Sequence, residues 1–145
     1  MGDRRFPAGS LSRIAPGPFE KDLTIGTLNL VPRLSDEKHG FATFVPGEHL
    51  PDGLTTLATY AETEGTSVIA LALDLEGFDI RHEGPWARIS LGVASELSCI
   101  GLTAAISVAL ADAAIPCNIV AAYHHDHVFV PWDQREEAFE ILKGL

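Results

Sequence analysis

The sequence predicts an α+β fold, an antiparallel sheet with helices packed on one face, and three observations carry that expectation. Ala87, Ile89, Leu91 and Val93 alternate with Arg88, Ser90, Gly92 and Ala94, the period of a strand with one buried face. Leu102, Ala105, Ile106, Ala109, Leu110 and Ala113 recur at the spacing of an amphipathic helix, which Ile115-Pro116 ends. Residues 117–123 and 127–130 then read as two strands joined by His124-His125-Asp126, a connection short enough for a hairpin. A last helix follows, with Ala138, Ile141, Leu142 and Leu145 on its inner face. Asp133 is placed to cap it, with Glu136 as the reciprocal partner. Strand, helix, strand, strand, helix is the order of a ferredoxin-like unit.

The first half is read in the same way. Residues 1–21 contain Pro7, Pro16 and Pro18 and no apolar run, so they read as a flexible N-terminal extension and not as a signal peptide. Residues 22–34 read as a helix, with Leu23, Leu30, Val31 and Leu34 on one face and Asp22 as N-cap. The alternation of Leu23, Ile25, Leu28 and Leu30 leaves a strand open there. A short strand is expected over residues 41–45, stopped by Pro46-Gly47, and a loop over 46–53. Strands are expected over 55–62 and 66–73, with Glu64-Gly65 as the turn, because glycine takes positive φ without a steric penalty. One short helical turn is expected between 74 and 80. His39, His49 and His82 fall in expected loops.

Gly84-Pro85 divides the chain into an N-terminal module, residues 22–84, and a C-terminal module, residues 85–145. Each has about 60 residues, too few to be stable alone, so the two modules in tandem are expected to fold as one unit. The chain carries 10 Lys and Arg against 20 Asp and Glu, a formal charge of −10. Such a surface repels phosphate backbones and offers no basic face to anionic lipid, so neither nucleic acid nor membrane is an expected partner. No apolar run of about 18 residues is present. Cys99 and Cys117 sit in apolar segments with no CxxC pairing, which reads as two reduced thiols in a cytoplasmic protein.

Three groups of residues are candidates for chemistry. The segment holding Ser98, Ile100, Gly101 and Leu102 leads into the alanine-rich helix. Its end offers backbone N–H groups and a dipole to a carboxylate, and Gly101 lets a ligand or a neighbouring backbone come close. The same residues also read as a plain cap, with Ser98 bonding the first turn. Asn118 and Ile119 open the adjacent strand, where the amide can hold an effector or a backbone group. His124-His125-Asp126-His127 has the ligand types of a transition-metal site. Strand alternation, however, puts His125 and His127 on one face and His124 and Asp126 on the other, so a metal is not expected and a turn or a ligand-facing role for His125 or Asp126 is. No GxSxG, HExxH, GxxxxGK[ST] or GxGxxG motif is present, so neither catalysis nor a cofactor is expected.

From Ala87 onward the chain resembles an ACT domain. The residues that carry the likeness are the strand 89–93, the loop closing on Ile100-Gly101-Leu102, the helix, and Ile115-Pro116-Cys117-Asn118-Ile119. The run from Cys117 to Pro131 resembles the ACT_7 type found in a family of small bacterial proteins (DUF2241), and residues 60–69 agree with the same family. The resemblance implies two ACT-like modules in one chain and a small-molecule effector, an amino acid first of all, with selectivity from the partner module. Its implied site is Ser98, Ile100, Gly101, Leu102, Asn118 and Ile119, with His125 and Asp126 nearby. A regulatory protein without catalysis of its own is therefore expected, acting through a regulated partner or a homodimer. The competing readings are an interaction module that needs no ligand and, behind it, a metal-dependent enzyme built on the His-Asp-His turn.

Overall fold

The structure, a computed structural model, describes residues 30–92 and 101–145. In chain order the elements are β1 (Pro32–Phe44), β2 (Thr56–Glu62), β3 (Gly65–Leu71), α1 (Ala72–Gly77), β4 (Glu83–Leu91), α2 (Leu102–Asp112), β5 (Asn118–Ala121), β6 (Asp126–Pro131), a 3-10 turn (Trp132–Gln134) and α3 (Arg135–Lys143). The strands form one six-stranded sheet in the order β2-β3-β1-β4-β6-β5, and every neighbouring pair is antiparallel. β1 pairs with β3 on one side and β4 on the other. The sheet therefore runs unbroken past Gly84-Pro85, which lies inside β4.

Register assigns the helices to one face. Ala87, Ile89 and Leu91 of β4 stand opposite Val130 and Val128 of β6 and Leu34 of β1, and these join Ile106, Leu110, Ala138 and Leu142 in the larger core. Farther along the same face of β1, Ala42 and Phe44 meet Val68, Ala70 and Leu75 of α1 in a smaller core. On α2 the buried residues are Leu102, Ile106 and Leu110, one stripe at a spacing of four, as the sequence pattern requires. Alternate residues of the strands, among them His39, Phe41, Ile69, Arg88, Ser90, His127 and Phe129, point to the opposite face.

Several expectations are corrected. Residues 32–34 are strand, not the end of a helix, because Arg33 and Leu34 pair with Ser90 and Ile89 of β4; cross-strand pairing overrides the helical stripe. Residues 22–29 lie outside the described residues. β1 accordingly begins well before the strand expected at 41, and His39 sits inside it, buried, instead of in a loop. The β2–β3 turn is residues 63–64, since Glu62 pairs directly with Gly65. Gly65 is needed for crowding: at φ +142° a Cβ there would collide with the Phe44 carbonyl oxygen. Asp133 falls within the 3-10 turn, and α3 starts from Gln134 without a side-chain cap. The turn is held instead by Arg135, whose guanidinium donates to the Trp132 carbonyl at 2.7 Å and lies 4.2 Å from the Trp132 ring centre.

Candidate functional site

Of the residues singled out in the sequence, Ser98 and Ile100 lie outside the described residues. Gly101 is the N-cap of α2, in the left-handed conformation at φ +94°, with no side chain capping the helix among the described residues. Leu102 is buried in the larger core, and Ile119, opposite Val128, packs against that core from β5. Asn118 stands opposite Phe129 and so shares the other face of the sheet. The structure thus puts the side chains of Leu102 and Ile119 on the helix side and that of Asn118 on the open side. Asp126 begins β6 opposite Ala121, and His125 is exposed beside it.

His125 leads to a site that the sequence pattern did not single out. One row of residues crosses four strands on the open face: Arg33 opposite Ser90, Ser90 opposite His127, and His127 opposite Val120. Together with Arg88, Ser35 and His125, the first three of that row line a recess of about 460 Å³. The Ser90 hydroxyl and His127 Nδ1 are hydrogen-bonded at 2.9 Å. Arg88 Nε is buried and has no hydrogen-bond partner. Burial pushes the His127 imidazole below its ordinary range, and the positive charge of Arg88 and then the nearby His125 push it the same way, against the opposing pull of Asp126. His39, on the same face, is lowered by burial and then by Arg88.

This recess is positive in a chain of charge −10. Two guanidinium groups, two serine hydroxyls and two imidazoles line it, and a carboxylate is a planar acceptor that an arginine fork matches. His125 and His127 stood out in the sequence as part of the polar turn, but Arg88 and Ser90 showed only as the polar members of an alternating strand. That pattern describes any solvated face, and Arg33 is brought in only by pairing. Among the described residues no group of three or more His, Cys, Asp or Glu is placed to hold a metal ion. Cys117 is a free thiol whose proton affinity burial raises, while Cys99 lies outside the described residues.

The model of the ACT domain family matches residues 81–144. Among solved structures, the chain is similar to VC0802 from Vibrio cholerae, a protein of unknown function described as a possible transport protein. That likeness has 30% identity and a TM-score of 0.70, and covers 79% of this chain and 88% of that one. Atu0741 from Agrobacterium tumefaciens has a similar fold at 18% identity and a TM-score of 0.66, covering 79% of this chain and 87% of that one. So does the regulatory subunit of aspartate kinase from Thermus thermophilus, at 14% identity and a TM-score of 0.57, covering 79% of this chain and 95% of that one. No curated protein matches the sequence. No helix among the described residues is long and apolar enough to cross a membrane.

Proposed function

The chain belongs to the ACT domain family, and from that premise we propose that it binds a small-molecule effector and regulates a partner protein without catalysing a reaction itself. The observation that carries this reading is the recess with Arg33, Arg88, Ser90 and His127 on its wall, where the buried Arg88 Nε lacks a partner. A buried charged donor left unpaired is costly, and a bound carboxylate removes that cost. An amino acid is the effector class that fits first. Its carboxylate meets the guanidinium groups of Arg33 and Arg88. The regulatory aspartate kinase subunit supports the regulatory part of the reading by its fold alone.

A second seat for a carboxylate is offered by the first turn of α2, which starts at Gly101 with no side-chain cap among the described residues, so its N–H groups are donors at the helix end. The two seats are separated by substituting Arg88, which lies on the opposite face of the sheet from α2. The test is a thermal-shift screen of the amino acids at millimolar concentration, followed by calorimetric titration of each hit. A ligand at about 100 times its Kd adds about 2.7 kcal/mol of apparent stability. In Arg88→Gln the hit is expected to bind at least tenfold more weakly, with circular dichroism unchanged. Equal binding to both proteins moves the seat to α2. If no amino acid binds the wild type, the amino-acid reading is withdrawn and a ligand-free interaction module takes its place.

A further inference from the structure

The cationic recess does not end at His127. Val120, its neighbour across the β6–β5 pair, lines a second cleft of about 310 Å³ on the same face. The other walls of that cleft are Phe41 of β1, Ile69 of β3, and Ala58 and Tyr60 of β2. β2 and β5 are the two outer strands of the sheet, so the sheet curls until its edges face each other across this cleft. Between the two spaces lies the buried Phe129, opposite Arg88 and edge-on to Phe41 with ring centres 5.3 Å apart. The cleft also has polar lining, Thr59 and the Ser67 hydroxyl that donates to the Glu62 carboxylate.

We infer that recess and cleft are one continuous binding site, and that its ligand is a carboxylate carried on an apolar body, a hydrocarbon chain or ring of several carbons. The inference rests on the proposed role of the recess and adds what lies beyond the anionic head. Charge and apolar surface are separated along one face: the guanidinium groups and His127 at one end, Phe41, Ile69, Val120 and Ala58 at the other. A compact, fully polar anion satisfies the first and leaves the second bare. An apolar ligand without charge leaves Arg88 Nε unpaired. Only a molecule with both parts removes apolar surface from water and pairs the buried donor at once. The cleft has room for roughly ten water-sized groups, which fits a body of this kind and not a macromolecule.

The test uses the full chain and a series of sodium carboxylates: acetate, butanoate, hexanoate and octanoate. Dissociation constants are measured by ligand-observed NMR and calorimetry in wild type, Arg88→Gln, Ala58→Phe and Ala58→Glu. Ala58 is a half-buried residue of an outer strand, so a larger side chain there fills the cleft without entering either core. In the wild type each added methylene is expected to tighten binding about two- to fourfold. Ala58→Phe and Ala58→Glu should flatten that dependence and leave acetate unchanged. Arg88→Gln should weaken every member, acetate included. A wild type that binds all four acids alike, with acetate still weakened by Arg88→Gln, overturns the joined site and leaves the recess standing. Acids whose affinity ignores Arg88→Gln remove the recess and the inference together. Methyl octanoate binding as tightly as octanoate shows adsorption without the anionic head and also overturns the inference.

Discussion

His39 and His127 are the two imidazoles that the curled sheet takes furthest from water, and Arg88 lies within electrostatic reach of both. Each is lowered first by burial and next by Arg88, so each binds its proton less well in the folded chain than at the ordinary value of 6.5. Between the folded and unfolded values the unfolded chain holds more protons, so stability rises with pH across that window. The stability from keeping these rings neutral is fully present above about pH 6.5 and is lost as pH falls through their folded values. Urea unfolding at pH 7.5 and pH 5.5 is expected to show the loss, and His127→Gln should reduce it; a flat profile in the wild type would show that the rings are not held neutral. An anion in the recess opposes the field of Arg88, so its binding is expected to raise the proton affinity of His127 and to take up protons near neutral pH. Titration in two buffers of different ionisation enthalpy measures that uptake. At this scale the sequence was informative about His125 and silent about Arg33 and Arg88. A histidine in a short polar turn stands out in a linear pattern, whereas two arginines 55 positions apart become neighbours only through the β1–β4 register.

The elements that were legible in the sequence are those whose period and environment agree. α2 is one: Leu102, Ile106 and Leu110 form a single buried stripe, with the half-buried alanines Ala105, Ala109 and Ala113 beside it. Leu110 is fully buried against that core and Glu137 is exposed on α3. Leu110→Ala is therefore expected to cost about 2–5 kcal/mol in chemical denaturation, and Glu137→Ala less than about 0.5 kcal/mol. Comparable losses from the two would mean that the face of α2 has been assigned wrongly. β1 was hard to read for the opposite reason. It is an inner strand of the sheet, flanked by β3 and β4, with bulges at residues 35–37 and near Gly40. Each bulge shifts the alternation, and Glu37 donating to Ser35 Oγ at 3.2 Å marks the first as a local turn within the strand. A pattern reader sees Lys38-His39-Gly40 as loop. The strand exists because both neighbours supply the partners for its backbone.

At the scale of the molecule, the question is whether the two sequence modules, 22–84 and 85–145, are separable. β1 belongs to the first by sequence and to both by packing. Leu30 is a member of the larger core with Ile89, Ile106 and Leu142, and Leu34 packs against it, although neither belongs to the second module. Along its other half the same strand carries Ala42 and Phe44 into the smaller core with Val68 and Leu75. Cutting at residue 84 would sever β4 itself, strip its backbone of the β1 partner, and expose the apolar row Ala87, Ile89 and Leu91 at a new sheet edge. A fragment of about 60 residues has no core to spare for that loss. The expectation is that the full chain unfolds in one transition, with far-ultraviolet dichroism and the fluorescence of Trp86 and Trp132 following the same curve. Residues 81–145 expressed alone should be unfolded or associate through the bare edge of β4. Leu34→Asp, which injures the first module by sequence but the larger core by contact, should lower the midpoint of that single transition. Two separate transitions, or a monomeric fragment 81–145 with native dichroism and cooperative melting, would show instead that the C-terminal module is an independent domain.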